Sequence, residues 1–340
     1  MQRDAIVSVI ILTFNSELYI KRAVLSVLNQ TYNNIEILIV DAGSTDNTKS
    51  IALGLSQIVW LDLPESDMGM ARNYGVRHSN GDFIMFLDSD DFYLDNKIKN
   101  QVETLRINNS IDAVFCPAYI YRQDNPLRLG IKKYSNKVLT LDNLLNGEIY
   151  TLATMCLRKS AWNENILFGE GGQGRYGEDW RFELNMVYNG IKMGFINNVE
   201  VVVEIRKDSH TSWEMQPIMK RLALETVTPI INSLSIDRLS TKKYRKLLDN
   251  YKFKYIVSLL ANESFILAIK ESRNIEKKSI RYFLMILLIV ISRFPNSWIK
   301  GLVRRIWISR QNSTFDWEDI DKNTLQQFVK LNVINKGQKV

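Results

Sequence analysis

Three carboxylates crowd the end of one apolar run: Phe83, Ile84, Met85, Phe86 and Leu87 are followed by Asp88, Ser89, Asp90 and Asp91. A short unbroken apolar run reads as a buried strand, and in open α/β sheets ligands gather at the carboxyl ends of such strands. Three acids there repel one another unless a cation or hydrogen-bond donors compensate them, so they suit a hard divalent cation carrying a phosphorylated ligand. The competing reading is a loop that caps the next helix through Asp91 or Asp95. With His78, His210, Cys116 and Cys156 as the only histidines and cysteines, no Cys/His zinc site can be assembled within one chain, and any metal takes oxygen ligands.

Other motifs exclude chemistry. Gly169 to Gly174 spells GxGxxG, but no convincing strand precedes it, so a dinucleotide fingerprint is not expected. A Walker A lysine loop is absent. Phe92 and Tyr93 stand where an EF-hand started at Asp88 needs a ligand and a glycine.

Up to about residue 115 strand-like and helix-like segments alternate, which predicts a mostly parallel sheet flanked by helices, the α/β class. Strands are expected at 7–13, 35–40, 58–63 and from 83. Helices are expected at 17–28, with Leu18, Val24, Leu25 and Leu28 near helical spacing, at 47–55 with Ser44 or Thr45 as cap, and at 68–79. Three strands end in polar or acidic residues, at 13–15, 41–46 and 88–91, and their loops should meet at one edge of the sheet. Beyond 115 the pattern predicts short helices at 142–145 and 158–163, a glycine-rich loop at 169–177, a helix opened by Glu178, Asp179 and Trp180, and a last strand at 200–206.

Hydrophobic residues make up 46% of the 340 and charged residues 24%, the balance of a globular protein. The net charge of +7 is uneven: residues 216–310 hold 19 Lys and Arg against 6 Asp and Glu, and the remainder holds 25 against 31. Two cysteines imply no disulfide framework and suit a reducing compartment. The apolar segment 5–12 is too short to span a membrane and makes a poor signal peptide, so it reads as the first strand. The boundaries drawn from these shifts are 1–215 for an α/β domain, 216–310 for a basic helical region and 311–340 for a C-terminal helix or tail.

Taken in order, the stretches 7–15 (VSVIILTFN), 26–32 (SVLNQTY), 40–46 (VDAGSTD), 69–73 (GMARN), 81–84 (GDFI) and 87–91 (LDSDD) resemble the family-2 glycosyltransferases, and Glu178-Asp179-Trp180 extends the likeness to about 215. The resemblance implies a GT-A fold with a C-terminal helical extension. It also implies a nucleotide-diphosphate sugar donor, with UDP favoured, a Mn²⁺ or Mg²⁺ ion, and transfer with inversion at the anomeric carbon. On it, Thr13, Phe14 and Asn15 line the nucleotide site with Phe14 stacked on the base, and Asp41 accepts a hydrogen bond from the base. Ala42 departs from the family pattern, which commonly has a second Asp there. Asp88 and Asp90 form the DxD pair, Asp88 toward ribose or metal and Asp90 on the metal, with Ser89 between them and Asp91 close enough to exchange roles. Arg72 serves the phosphates or pairs with Asp67. Asp179 matches the general base, Glu178 and Trp180 border the acceptor, and His210 matches a late metal or phosphate ligand.

Residues 282–291 are ten unbroken apolar positions, about half of a membrane span. Lys277, Lys278 and Arg281 precede them, and Arg293, Lys300, Arg304, Arg305 and Arg310 follow among Trp298 and Trp307. That pattern predicts an interfacial helix on anionic lipid, with a buried core helix or a homodimer interface as the alternative. No recognition motif accompanies the charge, so a nucleic-acid partner is not expected. The resulting expectation is a cytoplasmic transferase, peripheral on the inner face of the cell membrane, that adds sugar to a surface polysaccharide or a lipid-linked oligosaccharide. A non-catalytic nucleotide-sugar or lipid-binding scaffold is one alternative, and a retaining or nucleotidyl-transferring enzyme on a similar sheet is another.

Overall fold

The computed structural model describes residues 4–123, 128–132, 139–145, 150–169, 177–206, 216–234, 238–262, 264–272 and 316–319. The chain forms two compact units, one made of residues up to 207 together with those from 315 onward, the other of 208–314.

In the first unit the elements run β1 (Val7–Thr13), α1 (Ile20–Leu28), β2 (Ile35–Asp41), α2 (Thr48–Leu53), β3 (Ile58–Asp62), α3 (Met68–His78), β4 (Phe83–Asp88), β5 (Phe92–Tyr93), α4 (Lys97–Ile107), β6 (Ala113–Phe115), β7 (Ala118–Arg122), β8 (Arg128–Lys132), α5 (Leu141–Leu145), β9 (Met155–Arg158), α6 (Glu178–Tyr188), β10 (Met193–Phe195) and β11 (Val201–Ile205). The second unit contains α7 (Gln216–Leu234), α8 (Arg238–Ala261) and α9 (Phe265–Ser272), with Tyr255, Ile256, Leu259 and Ala268 packed into a small core. The chain then returns to the first unit as β12 (Asp316–Asp319).

All seven residues of β1 are buried, as a continuous apolar run between two helical layers requires. It pairs in parallel with both β2 and β4, and the central sheet has the order β10-β6-β9-β4-β1-β2-β3. The register aligns Leu12 with Asp88, Thr13 with Asp41, and Asp41 with Asp62, so the polar strand ends meet at one edge as the sequence predicts. Glycine is needed at position 81, because a Cβ there would sit 2.5 Å from the Ser8 hydroxyl and 2.6 Å from its backbone nitrogen. After the acidic loop the chain crosses into a second sheet of order β12-β8-β7-β11-β5, entering it through β5, which pairs antiparallel with β11.

Several local expectations are corrected. Helix α1 starts at Ile20 and buries Ile20, Ala23, Val24 and Val27, whereas Leu18 precedes it and is exposed. Neither Ser44 nor Thr45 caps α2, which starts at Thr48: the Thr48 N–H donates to the Asp46 carboxylate at 3.0 Å, while Ser44 turns to Asp41. The helix expected at 158–163 is the end of β9 and a single 3₁₀ turn, Lys159–Ala161. Met155, Cys156 and Leu157 are all buried because β9 fills the gap between β4 and β6. Within the expected C-terminal helix or tail, residues 316–319 are a strand, paired antiparallel with β8, whose other edge is already taken by β7. Residues 277–310 and His210 lie outside the described residues, and among those described no helix is long and apolar enough to cross a membrane.

Candidate active site

Three sequence-predicted carboxylates converge on one buried cation. Arg72, 1% exposed on α3, points its guanidinium at the ends of two other elements. Its Nη2 donates to Asp88 Oδ1 at 3.0 Å and its Nη1 donates to Glu178 Oε1 at 2.7 Å, with Asp179 Oδ1 3.7 Å from Nη1. The ring of Phe168 lies beneath it, 5.4 Å from the guanidinium carbon. Asp67 is not its partner: that carboxylate caps α3 by accepting the Met70 N–H at 2.8 Å. Burial opposes a charge on Arg72, but Asp88, Glu178 and Asp179 outweigh it and raise its proton affinity, so it stays a cation.

Glu178 and Asp179 open α6 directly after Gly177, whose φ of +65° is the left-handed turn that a side chain disfavours. Asp179 remains 30% exposed while Glu178 is nearly enclosed. Burial first, and the neighbouring Glu178 carboxylate second, push the Asp179 carboxyl well above the usual range, with Arg72 working against them. Trp180, expected to border the acceptor, is buried and donates its indole N–H to the Leu144 carbonyl at 2.8 Å. Phe182, one turn along α6, stacks on Phe168 at 3.9 Å between centroids.

At the strand ends, Phe14 is 56% exposed although Thr13 beside it is buried. An apolar ring left in solvent at the edge of a fully buried strand offers a face on which a flat ligand can stack. Asn15 adopts φ +47° and accepts the Thr45 N–H through its side-chain oxygen at 2.9 Å. Its own N–H donates to the Ser44 hydroxyl at 2.9 Å, and Ser44 in turn donates to Asp41 through its N–H and its hydroxyl. Ser16 and Ser89 share a 2.7 Å hydrogen bond that ties the β1 loop to the acidic loop.

The three acids have separate fates. Asp88 is 45% exposed on the open side of Arg72. Asp90 stands 3.2 Å from Arg206 Nε, and its backbone carbonyl is held by Arg22, which also pairs with Glu204 at 2.6 Å. Burial, then the charge of Asp88, lift the Asp90 carboxyl to about 6, with Arg206 pulling it down. Asp91, expected to exchange roles with the other two, is buried and accepts the Glu204 N–H at 2.9 Å, so it joins the second sheet. Neither Asp91 nor Asp95 is the cap of α4: that position is Asn96, just before Lys97, and its side chain makes no capping bond.

Asp88 and Asp90 offer hard oxygen donors, and their crowded charge is what a divalent cation relieves, so the residues fit Mn²⁺ or Mg²⁺. Among the described residues no group of three or more His, Cys, Asp or Glu side chains is placed to hold a metal ion. Sequence reasoning missed Arg22, Glu204 and Asn73. Arg22 lies 68 residues from Asp90 and Asn73 lies 95 from Phe168, separations that no local spacing signals.

The family model for glycosyl transferase family 2 matches residues 8–167. A glycosyltransferase of Haemophilus influenzae is 28% identical over 238 residues, 66% of this chain and 92% of its own length. The Escherichia coli UDP-Glc:alpha-D-GlcNAc-diphosphoundecaprenol beta-1,3-glucosyltransferase WfgD is 37% identical over 110 residues, 31% of this chain and 43% of the enzyme. The match to a Rickettsia typhi glycosyltransferase, 38% identical over 113 residues, covers 33% of this chain and spans 36% of that protein's length. Among solved structures, S. aureus TarS in complex with UDP-GlcNAc superposes with a TM-score of 0.57 at 18% identity, covering 84% of this chain and 88% of that one. A Pyrobaculum calidifontis mannosyltransferase in complex with GDP-Man and Mn²⁺ gives 0.53 at 16% identity, with 86% and 87% covered. Residues 8–167 are therefore a family-2 glycosyltransferase domain, built on the GT-A fold.

Proposed function

We propose that this chain transfers a sugar from a nucleotide-diphosphate donor, a UDP-sugar, to a hydroxyl of a polysaccharide or lipid-linked acceptor, inverting the anomeric carbon. The observation that carries the reading is the buried Arg72, which joins a DxD carboxylate, Asp88, to the acidic pair that opens α6. A donor-side acid and a base candidate are thereby held on one rigid cation, as an in-line displacement needs. Asp179 keeps an exposed face, and its raised proton affinity suits it to accept the acceptor's proton. In the step, the acceptor oxygen forms a bond to the anomeric carbon and the carbon–oxygen bond to the diphosphate breaks with its electron pair. The hydroxyl proton passes to Asp179.

Phe14 supplies the stacking surface for the base, and Asp41, fixed by Ser44, presents its remaining acceptor capacity to the base edge. Asp88 and Asp90 would hold a divalent cation, which when bound neutralises charge on the departing diphosphate. The lipid-linked acceptor is supported by the name of the E. coli relative and by the surplus of positive charge in 216–310, which suits attachment to anionic lipid on the cytoplasmic face through 277–310.

The test is donor consumption and product analysis with UDP-sugars and a lipid-diphosphate sugar acceptor. Asp179→Asn should bind UDP with Mn²⁺ as the parent does while transfer drops about a hundredfold or more. Retained turnover removes Asp179 from its role, and a product with the donor's anomeric configuration overturns inversion.

A further inference from the structure

Asp88, Asp90 and Asp91 crowd like charges into one short loop, and that loop keeps its shape through ties to its neighbours. The Asp91 N–H closes a turn on the Asp88 carbonyl at 3.0 Å. Ser89 is held toward β1, by its N–H on the Leu12 carbonyl at 3.1 Å and by the Ser16 hydroxyl at 2.7 Å. Asp91 is held toward the second sheet, where its carboxylate accepts the Glu204 N–H at 2.9 Å. The Asp90 carbonyl is held by Arg22: one guanidinium nitrogen, Nη2, donates to it and stands 2.6 Å from Glu204 Oε2.

Arg22 is itself held on several sides. Its side chain is 11% exposed, and its guanidinium carbon lies 4.9 Å from the centre of the Phe92 ring and 5.8 Å from that of Tyr19. Glu204, enclosed beneath it, is fixed by pairing of β11 with β7 opposite Tyr121 and by the side-chain amide of Gln123, which donates to Oε1. Asp90 and Asp91 thus reach the same glutamate by separate routes, one through a backbone carbonyl and an arginine, the other through a carboxylate and a backbone N–H.

We propose that Arg22, seated on Glu204, is a positioning residue for the metal: by holding the Asp90 carbonyl it fixes the turn from which the Asp90 carboxylate reaches the cation. The proposal rests on the reading of Asp90 as a metal ligand. A hydrogen bond from a guanidinium to a carbonyl is charge-assisted and resists rotation of the peptide to which that carbonyl belongs. Without it the repulsion between Asp88 and Asp90 can open the turn and separate the two carboxylates. Positioning and simple electrostatics predict opposite outcomes. A cation close to a metal site repels the ion, so charge alone would make binding tighter when Arg22 is removed, whereas loss of positioning makes it weaker.

The experiment titrates Mn²⁺ alone, by calorimetry, into the full chain and into Arg22→Met/Glu204→Gln, Arg22→Lys and Asp90→Asn, with a urea unfolding curve for each. The double variant removes the cation and its counter-charge together, so the net charge beside the loop is that of the parent and Glu204 is not left as a buried unpaired charge. Loss of an interaction that orients a ligand should weaken Mn²⁺ about tenfold or more. Arg22→Lys keeps the charge opposite Glu204 on a shorter stem without the planar fork, so it should unfold near the parent's urea midpoint and still bind Mn²⁺ more weakly. A role confined to stability would lower the midpoints and leave the Mn²⁺ affinity of the folded variants unchanged. Mn²⁺ binding equal to or tighter than the parent's in the double variant overturns the proposal, and if that variant does not fold, Arg22→Lys decides by the same criterion. The two readings fail differently. Mn²⁺ binding that survives Asp90→Asn removes Asp90 from the metal and this proposal with it. Binding abolished by Asp90→Asn but not weakened by the Arg22 substitutions overturns the positioning role alone.

Discussion

Arg72 donates to Glu178 at 2.7 Å and to Asp88 at 3.0 Å, so one fully buried guanidinium fixes the start of α6 against the end of β4. Arg72→Met leaves the enclosed Glu178 carboxylate without its cation. Breaking a buried pair on one side costs about 3–5 kcal/mol. The expected outcome is a large drop in the urea midpoint together with loss of transfer. Arg72→Met combined with Glu178→Gln should recover most of the midpoint and little of the activity, because Asp88 and Asp179 still lack their shared positive charge.

Asn73, the next residue on α3, is buried and exchanges two 3.0 Å hydrogen bonds with the backbone of Phe168. Phe168 stacks on Phe182 of α6, so Asn73 sets the height of the helix that presents Asp179. Asn73→Ala orphans a buried N–H and a buried carbonyl and should cost about 2 kcal/mol or more in denaturant unfolding. Displacement of Asp179 should lower kcat more than it raises KM for the donor.

Phe14 contributes little to folding, since more than half of its side chain is in solvent. Phe14→Ala should leave the thermal midpoint within a degree or two while weakening UDP by ~1–3 kcal/mol, the range for a lost base-stacking surface. Phe14→Tyr should bind as well as the parent. Calorimetry with UDP, with a melting curve alongside, checks both statements.

Asp179 couples activity and stability to pH in opposite senses. Its folded proton affinity is raised, so between the ordinary aspartate range and its folded value the native state holds a proton that the unfolded chain has lost. The cost of ionising it is absent at low pH, grows as pH rises through that window, and is complete above it. Asp179→Asn should therefore unfold later than the parent at neutral pH, with the advantage shrinking toward about pH 4. The acid limb of kcat/KM for the parent should lie above the pH expected of a free aspartate, since only the deprotonated form accepts a proton.

The strand ends were legible because β1, β2 and β4 are short apolar runs stopped by Asn15, Asp41 and Asp88, and parallel pairing aligns such ends. The position of Asp179 at the start of α6 agrees with the helix read from the local pattern, and exposure of Phe14 agrees with the place the family resemblance gave it. The partners of Arg72 were not legible: Glu178 is 106 residues away, and the sequence offered only the donor phosphates or Asp67. Trp180 shows the opposite limit, since an aromatic on an apolar helix face gives no hint that its N–H is committed to Leu144. For 158–163 the spacing of apolar residues was too short to separate a helical turn from the end of a strand buried between two others.

The second sheet of the first unit takes its edge strand β12 from residues that follow the helical unit in sequence. During synthesis the ribosome must make roughly 110 residues between β11 and β12, which at about 5–20 residues per second is a delay on the order of ten seconds. Throughout that interval β8 offers an unpaired edge to any neighbouring chain. An expression fragment cut at residue 215 would keep that edge open permanently, so aggregation of such a fragment would reflect a missing strand rather than an unstable site.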